Sequence, residues 1–243
     1  MDRRRFLQVA AGVALCPICA SGRALAETGH WGYSGPKGPN HWGGVCATGK
    51  RQSPVDLRGA VAGNLPKLQP NWSAARSIVN NGHTIEVAAG GSMQLGQTQY
   101  QLAQFHFHHP SEHRLNGQSF PMEAHFVHTG PGGRGVVGVM LTRGAPNAAF
   151  AMIVAAMPRV AKGSVAAPAG IRPSDLLPAS LSYYNYPGSL TTPTPDCEEN
   201  VNWLVLASPV EVAAADIAKF GALFQNNARP PMPIGSRAVQ RSS

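Results

Sequence analysis

A single-domain, mainly β fold (α+β by strict class) is predicted by three features of this sequence. Short stretches with apolar residues at period two recur along the chain, separated by Gly, Pro and Asn turn signals. Glycine and proline are both abundant, at 27 and 21 of 243 residues, which favours strands and loops over a helical bundle. The best helical spacing is confined to one window, Val210 to Phe224. With 43% hydrophobic and 13% charged residues, the chain can bury a sizeable core and is not of disordered composition.

Residues 1–26 read as a cleavable export signal, with the domain at 27–243. Arg3, Arg4 and Arg5 precede Phe6-Leu7, Val9 to Ala20 is apolar, and Ala24-Leu25-Ala26 is a small-x-small cleavage site. The Arg-Arg-x-Phe-Leu order resembles a twin-arginine signal, which implies a periplasmic or secreted protein. The apolar run falls short of the ~20 residues a spanning helix needs, so an uncleaved anchor is the weaker alternative and no membrane partner is expected after cleavage. Cys16 and Cys19 form a Cys-x-x-Cys that cleavage would remove. Losing four arginines and Asp2 takes the net charge from +8 to +5 for residues 27–243. No basic run with interleaved aromatics remains, which excludes nucleic acid as a partner.

The mature chain starts with an aromatic, Gly- and Pro-rich stretch, Trp31 to Trp42, that reads as an irregular segment packed on the domain. Arg51 to Leu57 is a turn into a short strand. Asn80-Asn81-Gly82-His83 is a turn before the alternating strand Thr84 to Ala88. Tyr100 to His108 and Met122 to His128 are strands, joined through Pro110-Ser111-Glu112-His113 and Asn116-Gly117. The apolar run Gly135 to Leu141 is a buried strand, and Ala149 to Met157 fits either a helix or a strand. Residues 162–181, with three prolines, read as loop. Val201 to Leu206 is another strand, and the tail from Asn226 is irregular.

Two of these strands carry the chemistry. Period two puts Gln104, His106 and His108 on one face of the first and Phe105 and Phe107 on the other. It puts Glu123, His125 and Val127 together on the second. A lone His-x-His is often a core pair. Here six of nine histidines fall between His106 and His128, and Gln104 and Glu123 each stand two residues before a histidine, placed to take its other ring N–H. Three imidazoles leave a fourth tetrahedral position open, as in catalytic zinc sites. His109 should face the other way, and His128 is out of phase with His125 and suits the core. Cys46 and Cys197 read as a disulfide in an oxidising compartment; the alternative is thiolate ligation of zinc with two histidines.

His106-Phe107-His108, Ser111-Glu112-His113, Glu123-Ala124-His125 and Ser189-Leu190-Thr191-Thr192-Pro193 occur in the order found in α-class carbonic anhydrases. Arg51-Gln52-Ser53-Pro54-Val55-Asp56, Asn80 to His83 and Val201-Asn202-Trp203 also resemble that family's motifs, so the match spans Trp31 to Arg237. The export signal and the Cys46/Cys197 pair are similar to the bacterial branch. The resemblance implies a central twisted, mostly antiparallel sheet of about ten strands with a few short peripheral helices. It also implies one zinc per chain and reversible hydration of carbon dioxide to bicarbonate and a proton, through a zinc-bound hydroxide and a histidine proton shuttle.

Carried over residue by residue, the resemblance makes His106, His108 and His125 the zinc ligands, oriented by Gln104 and Glu123. Thr191 and Glu112 become the pair that aims the hydroxide, and His83 the shuttle, with Tyr33 and Asn81 lining its water chain. Val127, Val136, Leu190, Val201 and Trp203 become the apolar wall for carbon dioxide, and Thr192 a polar cavity position. Relatives in the bacterial branch are often dimers, which leaves a homodimer open. Two departures stand out. The segment Pro193 to Cys197 reads two residues longer than the bacterial pattern, so it could alter cavity width or strain the bridge. Glu86 stands where a neutral amide is usual, on the face of Thr84, where a carboxylate could raise the pKa of His83. The alternatives from other classes are a zinc-binding protein of this fold without turnover, and a zinc hydrolase with another substrate.

Overall fold

Period-two alternation along the chain builds one large twisted sheet. In the computed structural model, residues 31–194 and 196–242 are described. The predicted export signal, residues 1–26 with Cys16 and Cys19, lies outside them. Ten strands form the main path: β1 (Val61–Ala62), β2 (Ser77–Asn80), β3 (Ile85–Ala88), β4 (Thr98–His108), β5 (Met122–Gly130), β6 (Gly133–Arg143), β7 (Ser164–Ala166), β8 (Tyr183–Ser189), β9 (Glu199–Leu206) and β10 (Gln240–Arg241). They lie in the order β7-β2-β3-β4-β5-β6-β9-β8-β10-β1. Every neighbouring pair is antiparallel except β6–β9 and β10–β1, which are parallel.

The two faces of the sheet bury different things. On one, Phe105, Phe107, Phe126, Val137 and Val139 pack beneath helices α2 (Ala148–Ala156) and α3 (Ala214–Leu223), against Phe150, Ile153, Ile217 and Phe220. Full burial of such a side chain contributes about 1.5–3 kcal/mol, so this layer is the main source of stability. On the other face, Val127, Val136, Met140, Tyr186 and Trp203 form a second core beside the histidines. The short helix α1 (Val45–Thr48) carries Cys46, which is disulfide-bonded to Cys197. Both sulfurs are consumed in that bond, so neither is a metal ligand. Trp31, Tyr33 and Trp42 pack on the disulfide and make the aromatic segment part of the domain.

Three segments differ from the sequence reading. Val210 to Phe224 is not one helix: Val210–Val212 is a short strand on β6, with Val210 and Val212 buried and Glu211 exposed, and α3 begins only at Ala214. Period two over three residues is hidden inside a helix-spaced window. Residues 162–181 contain the edge strand β7 and a 3₁₀ turn at Pro173–Leu176. The tail from Asn226 is irregular as expected only as far as Val239, after which Gln240–Arg241 form strand β10, and Asn227 and Arg229 are each only 2% exposed. At Ala148–Ala156 the open choice resolves to helix, because Asn147 Oδ1 accepts from the Phe150 N–H and caps it.

Candidate metal centre and its cavity

β4 and β5 pair antiparallel with His106 opposite His125 and His108 opposite Glu123. That register brings the three predicted histidines together, and one ring nitrogen from each lies within 4.8 Å of the others. The second nitrogen of each ring is already bonded. His106 Nδ1 is 2.9 Å from Gln104 Oε1, and His108 Nδ1 donates to the Asn227 carbonyl at 2.7 Å. His125 uses its Nε2 instead, at 2.9 Å from Glu123 Oε1. These bonds leave Nε2, Nε2 and Nδ1 as lone-pair donors. His108 Nε2 is buried with no partner inside the protein. An orphaned buried nitrogen is costly unless something outside the chain's own polar groups takes it. Burial pushes all three imidazoles below the ordinary histidine range, His108 to about 4, and so favours the neutral form a metal requires. Three neutral nitrogens with bonded outer nitrogens fit zinc.

A second grouping, His113, Glu123 and His125, shares His125 with the triad. Here the ring nitrogens bond to the carboxylate itself. His113 Nδ1 is 2.8 Å from Glu123 Oε1, and its Nε2 is 2.6 Å from the Tyr186 hydroxyl, which meets Ser53 Oγ at 2.9 Å. Glu123 Oε2 accepts from the N–H groups of Glu112 and His113. Burial alone would raise the pKa of Glu123, but His113 and His125 outweigh it and hold the carboxyl well below its usual range. The grouping is therefore a hydrogen-bonded strut under His125 rather than a metal site. It needs room that only glycine leaves, since a Cβ on Gly138 would stand 2.9 Å from Glu123 Oε1.

Glu112 is buried next to the cluster. Its Oε1 accepts from the Arg229 N–H at 2.8 Å and lies 3.4 Å from His108 Nδ1. Burial raises its pKa to about 7, against the opposing effects of His125, the Arg229 N–H and Thr191. A cation held by the histidines would pull it back down. Glu112 Oε2 closes no bond of normal geometry, although Thr191 is near enough to lower the carboxyl's pKa.

The cavity above the histidines has two lobes that share Gln104, His106, Thr192 and Thr194. The smaller, about 170 Å³, is walled by Val127, Val136, Leu190, Thr191 and Trp203, with Arg134 at its edge. Val201 does not line it and is buried in the adjoining core. The larger, about 360 Å³, is lined by Trp31, Tyr33, Asn81, His83, Thr84 and Glu86. The His83 ring lies flat on Trp31, with centroids 3.8 Å apart and planes 7° apart. Asn81 Oδ1 accepts from the N–H groups of His83 and Thr84, and Gly82 takes φ +89°, so the turn itself is fixed. Burial raises the pKa of Glu86, partly offset by a bond from Asn81, and burial and the Glu112 charge raise that of Tyr33. The 193–197 turn closes on itself through Cys197 N–H to Thr192 O at 2.9 Å and puts Thr192 and Thr194 into both lobes. Asp196 and Cys197 take φ of 42° and 47°, left-handed values that cost an L-residue about 1–2 kcal/mol each.

His109 faces away as expected, with Nδ1 3.1 Å from the Gln225 carbonyl, and His128 is buried in the core with Nδ1 3.2 Å from the Gly135 carbonyl. Trp31, His113, Arg134, Asn227 and Arg229 are site residues that the sequence did not single out. Of these only His113 sat in a recognisable motif. The others reach the site from distant, irregular or solvent-facing segments that carry no periodic signal.

The family model for eukaryotic-type carbonic anhydrase matches residues 37–243. The chain is 38% identical to a carbonic anhydrase of Neisseria gonorrhoeae over 97% of both chains. It is 39% identical to one of Pectobacterium carotovorum over 91% of this chain and 94% of the relative. Among solved structures, the alpha-carbonic anhydrase of Thermovibrio ammonificans in complex with the inhibitor sulfanilamide superposes with TM-score 0.82 at 41% identity, over 87% of this chain and 98% of that one. With the three histidines, the two-lobed cavity and the ten-strand path in place, this chain belongs to the eukaryotic-type (alpha) carbonic anhydrase family of lyases.

Proposed function

We propose that this enzyme interconverts carbon dioxide and bicarbonate using one zinc ion per chain, held by His106, His108 and His125. The observation that carries the reading is the bonded outer nitrogen on each ring, to Gln104, Asn227 and Glu123, which commits the other three nitrogens to one shared ligand. Zinc supplies Lewis acidity that makes water a nucleophile at a pKa of ~7. The chain's residues do the rest. Val127, Val136, Leu190 and Trp203 offer carbon dioxide, small and apolar, a dry wall that needs no polar anchor. Ionised Glu112 accepts a hydrogen bond from the Thr191 hydroxyl, which leaves the Thr191 oxygen only lone pairs with which to accept from, and so orient, the attacking group. His83 accepts the released proton at the mouth of the polar lobe, across water held by Tyr33 and Asn81. An imidazole titrates near ~6.5 in water, so it can pass that proton on to buffer at neutral pH.

Residues 1–26 are an export signal in this reading, of the twin-arginine type, and the Cys46–Cys197 disulfide supports an oxidising destination, periplasmic or secreted. The experiment is stopped-flow carbon dioxide hydration by residues 27–243, oxidised and with zinc quantified, from pH 6 to 9. A rate that rises through an apparent pKa near ~7 supports the proposal. No hydration above buffer at one zinc per chain overturns it.

A further inference from the structure

The two lobes carry opposite charge. Among the described residues, Arg134 alone brings a fixed positive charge to the apolar lobe, and Glu86 alone brings a carboxylate to the polar one. Arg134 is on β6, two residues before Val136 and four before Gly138, so it shares the cavity-facing side of the strand with both. In register it stands opposite Thr129 of β5 and Val201 of β9. Its side chain is 33% exposed, which places it at the rim of the lobe with Val136 behind it. Its Nε donates to Glu198 Oε2 at 3.2 Å, and the Glu198 carbonyl in turn accepts from the Leu190 N–H at 2.9 Å. One contact at Nε leaves both terminal nitrogens of the guanidinium, four N–H donors, for a ligand. A planar guanidinium is the side chain best matched to a planar oxyanion.

Carbon dioxide has no use for that charge, and bicarbonate does. We propose that Arg134 is a docking residue for bicarbonate at the mouth of the apolar lobe. The anionic partner of the reaction then enters and leaves along Arg134, while the proton leaves through the lobe that holds His83 and Glu86. This rests on the activity proposed above and adds a residue that sets anion affinity. Glu198, 53% exposed, competes with the anion for the same guanidinium.

The test compares zinc-loaded wild type, Arg134→Leu, Arg134→Lys and Glu198→Gln in the dehydration direction at constant ionic strength. The expected result is a KM for bicarbonate raised about fivefold in Arg134→Leu with kcat within about twofold, most of it restored in Arg134→Lys. In Glu198→Gln the KM should fall. The equilibrium constant is fixed, so kcat/KM for hydration must drop by the same factor in Arg134→Leu, which checks the data internally. A purely structural role for the ion pair predicts that Arg134→Leu and Glu198→Gln move KM the same way. That outcome, or a bicarbonate KM in Arg134→Leu within about twofold of wild type, overturns the proposal. The second readout needs no turnover: a titration of ¹⁵N-labelled, zinc-loaded protein with bicarbonate, followed at the Arg134 Nε–H resonance, which Arg134→Lys assigns. A saturable shift, at lower bicarbonate in Glu198→Gln, supports the subsite even if wild type fails to turn over. No saturable shift overturns it, whatever the fate of the proposed activity.

Discussion

Glu123 Oε1 lies 2.9 Å from Nε2 of His125, and this one contact decides which nitrogen of that ring faces the cavity. His106 and His108 are held by Nδ1, His125 by Nε2. Glu123→Gln keeps the shape and loses the charge, and its amide has one oxygen to divide among His125, His113 and two backbone N–H groups. Zinc affinity should fall about 10–100-fold, read by competition with a chromophoric chelator. An affinity within about threefold of wild type would mean that the ring is positioned by packing alone.

Asn227 ties the irregular tail to the ligand strand. Besides its carbonyl on His108, its side chain accepts from the His109 N–H at 2.7 Å and donates to the carbonyls of His83 and Phe107 at 3.0 Å each. Asn227→Ala takes the acceptor from the His109 N–H and one donor from each of the His83 and Phe107 carbonyls, the latter keeping the Thr84 hydroxyl, so unfolding free energy should drop by about 1–3 kcal/mol in urea titrations. Asn227→Asp should recover only the His109 bond.

His83 stacked on Trp31 gives the shuttle proposal a kinetic signature. His83→Ala should lower hydration kcat by at least about tenfold in weak buffer, leave kcat/KM for carbon dioxide in place, and be rescued by added imidazole. Trp31→Ala removes the surface on which the ring rests while keeping the imidazole. It should change kcat alone, with little need for rescue. Loss of kcat/KM in His83→Ala would place His83 in carbon dioxide turnover rather than in proton export.

The histidine triad was legible because strand geometry is periodic: His106 and His108 share a face by parity, and His125 follows on the next long strand. Thr191, Leu190 and Trp203 were named only through the ordered motifs of the family, since by pattern they are ordinary core. Arg134 was missed because a single arginine at a strand end reads as a solvated charge, and its orientation depends on the β5–β6 register, which no local pattern sets. Asn227 and Arg229 were missed because a Pro-rich tail has no period, and their burial arises from contacts more than a hundred residues away in sequence. The Val210–Val212 strand was lost for the opposite reason, a stronger helical pattern immediately after it.

His128 predicts the shape of the acid limb of stability. Burial lowers its pKa to about 4, despite bonds to the Gly135 and Phe126 carbonyls that oppose the shift. The unfolded chain therefore takes up the proton first as pH falls below ~6.5, the reference value. Between there and about 4 the unfolded state binds more protons, so stability rises with pH in that window and is lost on acidification, by about 3 kcal/mol in total. His128→Phe removes the titration and keeps an aromatic ring beside Trp72. Its unfolding free energy should fall less steeply than that of wild type between pH 6.5 and 4, whatever its value at pH 7. Equal slopes would mean that His128 does not differ in protonation between the two states.

The disulfide joins residues 151 positions apart, Cys46 and Cys197, and so closes a long loop. In the chain-entropy model such a loop is worth about 4–5 kcal/mol, acting through the unfolded state. The bond also anchors the turn that puts Thr192 and Thr194 into the cavity, next to two residues in left-handed backbone. Cys46→Ser with Cys197→Ser should therefore do two things. It should lower unfolding free energy by about 3–5 kcal/mol, measured by denaturant titration of the zinc-loaded protein. It should also free the 193–197 turn to relax, which would show as faster amide hydrogen exchange at positions 196 and 197, whose N–H groups bond the Pro193 and Thr192 carbonyls. A double variant that loses stability but exchanges those two amides as slowly as wild type would show that the turn holds its shape through its own backbone bond between residues 192 and 197, and that the disulfide acts on the unfolded chain alone.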